Sequence, residues 1–245
     1  MALDVALARL ARDGEGVLRI YRWSRPTLSL GRNQPARDRY DPMAAARLGA
    51  EIVRRPTGGR EVMHDRELTY AVVAPLAALG GLREAYRTVN DALLAALRSL
   101  GVAAKRAARG KRPPDPGAGP CFGRPAEGEV VVRGRKLVGS AQARFGKVLL
   151  QHGSLLLGRP SVPMTALAGA ARGAPAVANA SDGAITLAEL LSCEPGFPAV
   201  AAAVEASLAA TLGGEWARGE ASAREREVAA ALLPHYESVS WTWRR

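Results

Sequence analysis

Apolar positions alternate with polar ones over short stretches through the first part of the chain, and later recur at three-to-four spacing. Val17 to Trp23 and Thr27 to Gly31 predict two strands joined by a Ser24-Arg25-Pro26 turn. Asp41 is placed to cap a short helix through Ala44 to Leu48, and Glu51 to Arg54 predicts a strand entering the loop Arg55-Pro56-Thr57-Gly58-Gly59. Strand character resumes from Val62 to Ala74. Leu82 to Leu100 predicts a long helix, with Tyr86, Val89, Leu93, Leu97 and Leu100 on one face. Met1 to Arg12 also reads as an amphipathic helix, without the small-residue cleavage site of an export signal.

Lys105 to Pro120 carries many Pro, Gly and basic residues and little to bury, which predicts a mobile loop. A three-strand meander follows over Glu129 to Val132, Arg135 to Arg144 and Lys147 to Leu157, turning at Arg133-Gly134 and Phe145-Gly146. From Ser161 the pattern is helical, over Val200 to Leu212 and Ala221 to Leu233. These elements predict an α+β fold with a mixed, mainly antiparallel sheet flanked by helices. The 245 residues suit one domain, with a sheet-bearing core over residues 1–160 and a helical region over 161–245.

Composition narrows the partners more than the fold. Hydrophobic residues make up 48% of the chain, enough for a sizeable core, yet charges interrupt every apolar run before it reaches membrane-spanning length. Two cysteines far apart, Cys121 and Cys193, with no export signal, point to the cytoplasm and against a structural disulfide or a four-cysteine zinc site. The formal charge of +11 suits nucleic acid or an acidic protein, and part of it is a solvated surface. No helix-turn-helix or aromatic-basic module is visible, so nucleic acid ranks last.

Two constellations carry candidate chemistry. The first is Arg54-Arg55-Pro56-Thr57-Gly58-Gly59-Arg60, followed by His64-Asp65 and Glu67-Leu68-Thr69-Tyr70. Adjacent glycines let the backbone approach a ligand, and flanking arginines suit an anion or a polar thioester arm. A bare Gly-Gly turn with solvated arginines is the plainer reading, but it leaves His64 and Tyr70 unexplained. The second constellation is Cys121-Phe122 followed by Lys136. A single cysteine is more often a small buried hydrophobe. Cys121 instead ends a Pro/Gly loop, and an ammonium nearby would favour its reactive thiolate. Cys193 has no such setting and reads as structural. His64 and His152 lie in motif strings and suit pocket walls, whereas His235 has no motif; none of the three is assigned to acid–base work. Val62, Leu68, Val72 and Leu137 suit either an acyl-chain wall or ordinary core. No metal-ligand spacing is present.

The string from Arg54 to Gly59 with His64 resembles the signature of the biotin and lipoate protein ligase superfamily. The resemblance extends through Met1-Ala2-Leu3-Asp4, Pro26 to Gly31 with Gln34, Gly134-Arg135-Lys136-Leu137-Val138-Gly139-Ser140-Ala141-Gln142, and Leu150-Gln151-His152-Gly153-Ser154. Gly59-Arg60 in place of a third glycine, with Glu67 to Tyr70, is most similar to the cysteine-dependent octanoyltransferases of lipoate synthesis. Members of the superfamily usually carry a strand before the Met-Ala-Leu-Asp helix, and this chain starts at that helix.

The resemblance implies a biotin/lipoate ligase catalytic-type domain over 1–245, with an acyl-thioester at Cys121 and Lys136 beside it. It further implies substrate contacts from Arg54, Arg55, Gly58, Gly59, His64, Gly139, Ser140, Gln142, His152 and Gly153, with Gly153 giving room for the acyl chain. Octanoyl-acyl carrier protein would be the donor, and a lipoyl-domain protein or glycine-cleavage H protein the acceptor, with no cofactor. Backbone amides near Gly58-Gly59 or Ser140 would suit the oxyanion. Lys105, Arg106, Arg109, Lys111 and Arg112 would suit an acidic carrier. An ATP-dependent lipoate-protein ligase and a lipoyl-protein amidotransferase stay open as alternatives. Cys121, and a chain end soon after the helices without an accessory domain, weigh against the ligase.

Overall fold

A computed structural model describes residues 1–108, 120–123, 125–169 and 183–244. Among them nine strands follow in chain order: β1 (Val17–Tyr21), β2 (Thr27–Leu30), β3 (Glu51–Arg54), β4 (Val62–His64), β5 (Glu67–Pro75), β6 (Lys105–Arg106), β7 (Val130–Val132), β8 (Arg135–Phe145) and β9 (Val148–Leu156). The helices are α1 (Ala2–Leu10), α2 (Pro42–Arg47), α3 (Leu82–Ser99), α4 (Leu187–Leu191), α5 (Phe197–Leu212), α6 (Ala223–Glu237) and α7 (Val239–Thr242). The larger sheet runs β1-β5-β9-β8-β7-β6 with every pairing antiparallel. The smaller runs β3-β2-β4, its β2–β3 pair parallel. The fold is α+β with a mainly antiparallel sheet flanked by helices, in agreement with the pattern.

Side chains alternate across a strand, so each sheet face has its own partner. Leu68, Tyr70 and Val72 of β5 pack against Val89, Leu93 and Leu97 of α3 and Val200, Val204 and Leu208 of α5. Burying each such side chain is worth about 1.5–3 kcal/mol, which makes this layer the main stabilising unit. On the opposite face Ala71, Val73 and Leu150 meet Val5, Leu7 and Ala8 of α1. Beyond α1, that face turns toward the small sheet, and the space between them holds the site.

The predicted strand Val62 to Ala74 is divided. The chain turns at Asp65-Arg66, so β4 and β5 join different sheets. The Asp65 carboxylate accepts from the Ser161 amide and hydroxyl, while Arg66 O accepts from the amides of Leu157 and Gly158. Periodicity cannot show such a division, because the apolar pattern continues through it. The loop from Lys105 contains a short edge strand, β6, paired with β7. Arg109, Lys111 and Arg112 lie outside the described residues. Helix α6 starts at Ala223 because Ser222 caps it in a reciprocal pair with Glu225. No described helix is long and apolar enough to cross a membrane.

Candidate active site

The glycine-rich loop between β3 and β4 is fixed by a backbone crossing. A Cβ on Gly31, after β2, would sit 1.8 Å from the Gly59 carbonyl oxygen, so only glycine permits the contact. Gly59 itself has φ +89°, a left-handed conformation that also favours glycine. Arg55 braces this loop from inside: its guanidinium donates to the carbonyls of Ser29, Gly58 and Arg60, and to the Ser29 hydroxyl. Burial lowers the Arg55 pKa, opposed by the negative charges of Cys121 and Glu61. Arg54 is fully buried, and donates to the carbonyls of Gly31, Gln34, Thr242 and Arg244.

The end of the same loop holds the cysteine. The Cys121 amide donates to Glu61 O at 2.9 Å, and Arg60 Nη2 donates to Cys121 O at 3.2 Å. Cys121 begins a single 3-10 turn through Gly123, with Phe122 buried beneath it. Lys136 approaches from β8, with no exposed surface. Its ammonium lies 3.0 Å from Cys121 Sγ, 3.1 Å from Cys121 O and 2.5 Å from Glu129 Oε1. Burial alone would lower the Lys136 pKa, but the charges of Cys121 and Glu129 outweigh it and hold the pKa above its ordinary value. Lys136 is therefore an ammonium at neutral pH. Gly139 leaves the space this requires: a Cβ there would stand 3.0 Å from Lys136 Cε, 3.2 Å from its Nζ and 3.1 Å from the Phe122 ring.

A cavity of about 350 Å³ opens beside the pair. Ser29, Val62 and His64 line it from the small sheet, and Thr69, Gly139, Ala141, His152 and Ser154 from the large one. The register aligns Tyr21 with Thr69, Thr69 with Ser154, and Ser154 with Gly139, a strip across four strands. At ordinary interstrand spacing the strip is about 14 Å long. Cys121 sits at its Gly139 end. At the other end Trp23 stacks on His64 at 4.4 Å and donates from its indole to Thr69 Oγ1.

Of the residues expected from the sequence, Cys121, Arg55, Gly59, His64, Gly139, Ser140, His152 and Gly153 line this cavity. Lys136 reaches it through the thiol. Arg54, Gly58 and Gln142 do not line it: Arg54 ties backbone segments together, and Gln142 donates to Leu82 O and Gln151 Oε1. The space at Gly153 is filled by protein, since a Cβ there would meet Gly139 O at 2.5 Å and the Tyr70 ring at 2.7 Å. The Ser140 hydroxyl bonds to that same Tyr70. His64 is held between Ser29 Oγ at 2.7 Å and Glu67 Oε1 at 2.6 Å. His152 Nε2 lies 2.5 Å from Thr57 Oγ1, and burial pushes its pKa down to about 3, so it is neutral at physiological pH. Val62 is a cavity wall, whereas Leu68, Val72 and Leu137 belong to the core under α3. Cys193, read as structural, is exposed, since it follows the exposed C-terminal turn of α4.

Sequence reasoning missed Glu129, Trp23, Tyr86 and the anchoring role of Arg60. A signal for Glu129 existed. The Arg133-Gly134 turn, with φ of 51° and 77°, folds residues 129–132 back beside 135–138 and so brings Glu129 to Lys136. Among the described residues no cluster of His, Cys, Asp and Glu is arranged to hold a metal ion.

A family model described as the lipoyl protein ligase A/B catalytic domain matches residues 1–209. The octanoyltransferase LipM of Kyrpidia tusciae is 37% identical over 261 residues, spanning 100% of this chain and 94% of that protein. Its counterpart from Carboxydothermus hydrogenoformans is 44% identical over 162 residues, covering 64% of this chain and 60% of its own length. Among solved structures, a T. acidophilum protein described as a lipoate protein ligase, with bound lipoic acid, superimposes with a TM-score of 0.78. It is 21% identical, and the match covers 99% of this chain and 91% of that one, which is a likeness of fold.

Proposed function

The chain belongs to the lipoyl protein ligase A/B catalytic-domain family, and on that premise we propose that it is an octanoyltransferase of lipoate biosynthesis working through a thioester on Cys121. The observation that carries this reading is the Lys136 ammonium 3.0 Å from the Cys121 sulfur beside an acyl-sized cavity. A buried ammonium at that distance stabilises a thiolate by direct Coulomb attraction.

The Cys121 thiolate attacks the thioester carbonyl of octanoyl-acyl carrier protein, and the carrier's thiolate leaves. An extended eight-carbon chain, with carbon–carbon bonds of about 1.5 Å, measures about 9 Å, which fits within the strip from Gly139 to Tyr21. The ε-amine of a lysine on a lipoyl-domain protein or glycine-cleavage H protein then takes the acyl group as an amide. Exchange between thioesters is nearly balanced and amide formation is downhill, so the reaction needs no ATP. Free thiol at Cys121 suits the reducing cytoplasm. Exposed Lys105 and Arg106 on the edge strand offer positive charge to an acidic carrier.

The test is mass spectrometry of the purified protein mixed with octanoyl-acyl carrier protein in the absence of ATP. The expected result is one octanoyl increment mapping to Cys121, absent in Cys121→Ser and retained in Cys193→Ser. Strict dependence on ATP and free octanoate, with no covalent adduct, would replace the transferase reading with a ligase.

A further inference from the structure

The second half of the proposed reaction has an unassigned requirement. A lysine ε-amine has a pKa of about 10.4, so the acceptor arrives as an ammonium and must lose a proton before it attacks. Most polar groups around the cavity are poorly placed for that work. Arg55 and Arg60 are cations that donate to backbone carbonyls. His152 is held neutral by burial, with its pKa near 3, and so accepts a proton poorly. Both ring nitrogens of His64 are engaged, by Ser29 and by Glu67.

Glu129 differs. Among the described residues it is the one carboxylate that lines the cavity, and the Lys136 ammonium joins it to Cys121. It is 6% exposed, and is held in place by the Ala126 amide on Oε2 and the Lys136 ammonium on Oε1. A carboxylate oxygen has two lone-pair sites, so each retains capacity for another donor. The Lys136 ammonium contacts two groups, the Cys121 sulfur and the Glu129 carboxylate. Acylation of Cys121 takes up the first and leaves the second.

We propose that Glu129 is the subsite for the acceptor's ε-ammonium, binding it beside the Cys121 thioester and taking its first proton. The inference rests on the transferase reading. The Lys136 ammonium on the same carboxylate disfavours a second positive charge beside it, which lowers the pKa of the arriving ammonium and promotes loss of its proton to Glu129. The amine nitrogen then forms a bond to the thioester carbon. As the tetrahedral intermediate collapses, the carbon–sulfur bond breaks toward sulfur and the second amine proton goes with it. The products are the amide, the Cys121 thiol and protonated Glu129, and both enzyme protons return to water.

The experiment preforms octanoyl-enzyme and follows its discharge by mass spectrometry with two nucleophiles. One is a lipoyl domain, whose lysine is charged; the other is hydroxylamine, which is already neutral at pH 7. In Glu129→Gln, discharge to the lipoyl domain should slow by at least ~100-fold, while discharge to hydroxylamine should stay within a few-fold of the unaltered protein. Glu129→Asp, which keeps a carboxylate, should recover part of the lysine reaction, and serves as the test if the Gln variant does not fold. Equal slowing with both nucleophiles would reduce Glu129 to a support for Lys136. Undiminished discharge to the lipoyl domain, or an Asp variant no better than Gln, would overturn the proposal. Failure of the unaltered protein to form the Cys121 adduct at all would instead remove the transferase reading beneath it.

Discussion

Arg54 and Lys136 are both cations without exposed surface, each inside a motif, and they are buried for opposite ends. Arg54 donates to backbone carbonyls of residues 31, 34, 242 and 244, groups whose partial charges do not change during a reaction. Lys136 faces a thiol and a carboxylate, groups that can gain and lose protons. Burying a charge is costly unless it is paired and hydrogen-bonded. Fixed dipoles meet that cost permanently and make a joint. Titratable partners meet it in a way that varies with the chemical state, and make a site.

The comparison is broken most directly at Lys136. Lys136→Met should slow formation of the octanoyl adduct by about 10²–10⁴-fold, measured in a single turnover with the carrier thioester. It should also destabilise the fold by about 3–5 kcal/mol, because Glu129 is left buried without its counter-charge. Adding Glu129→Gln to that variant should restore much of the stability and none of the activity, separating the two effects by denaturant titration and adduct formation. At Arg54 the expectation is reversed. Arg54→Met should cost at least about 3 kcal/mol, as several buried carbonyls lose their donor, while adduct formation per folded molecule changes by only a few-fold. An equally large loss of acylation in the Arg54 variant would mean that this joint reaches the chemistry after all.

His152 sharpens the contrast with a third solution, because it meets burial by remaining uncharged. Its folded-state pKa lies near 3, against an ordinary 6.5. An unfolded chain therefore takes up the proton well before the native one does. The contribution to stability is complete above pH 6.5 and declines as pH falls toward 3, by at most about 1.4 kcal/mol per pH unit. Urea titrations from neutral pH down to about 4 should show this slope, and His152→Gln should flatten it.

The sequence made some of this legible for specific physical reasons. The hairpin turns at Arg133-Gly134 and Phe145-Gly146 carry positive-φ glycines, and that demand is written locally. Helix α3 shows its buried face because Val89, Leu93 and Leu97 recur at helical spacing. The Cys121–Lys136 pair was reachable from loop context and resemblance. By contrast, the turn at Asp65-Arg66, the strand β6 and the carbonyl partners of Arg54 depend on residues far along the chain. Motif reasoning treats Arg54 and Arg55 alike; both are buried and bind backbone carbonyls, but Arg55 also lines the cavity and Arg54 does not.

The spacing of the contacts at the site also has a consequence for the order in which the chain assembles. Lys136 and Glu129 are separated by 7 residues, Cys121 and Lys136 by 15, and Arg60 and Cys121 by 61. Closing longer loops costs more entropy, and distant contacts tend to form late. The β7–β8 hairpin can therefore set the ammonium against its carboxylate first, while the thiol is still unheld. Only the closing of the glycine-rich loop over Gly31, with Arg60 and Glu61 in place, fixes Cys121 in its native turn. A half-folded chain thus carries a cysteine not yet seated, and the nucleophile is completed only when the contact across 61 residues joins the local ones.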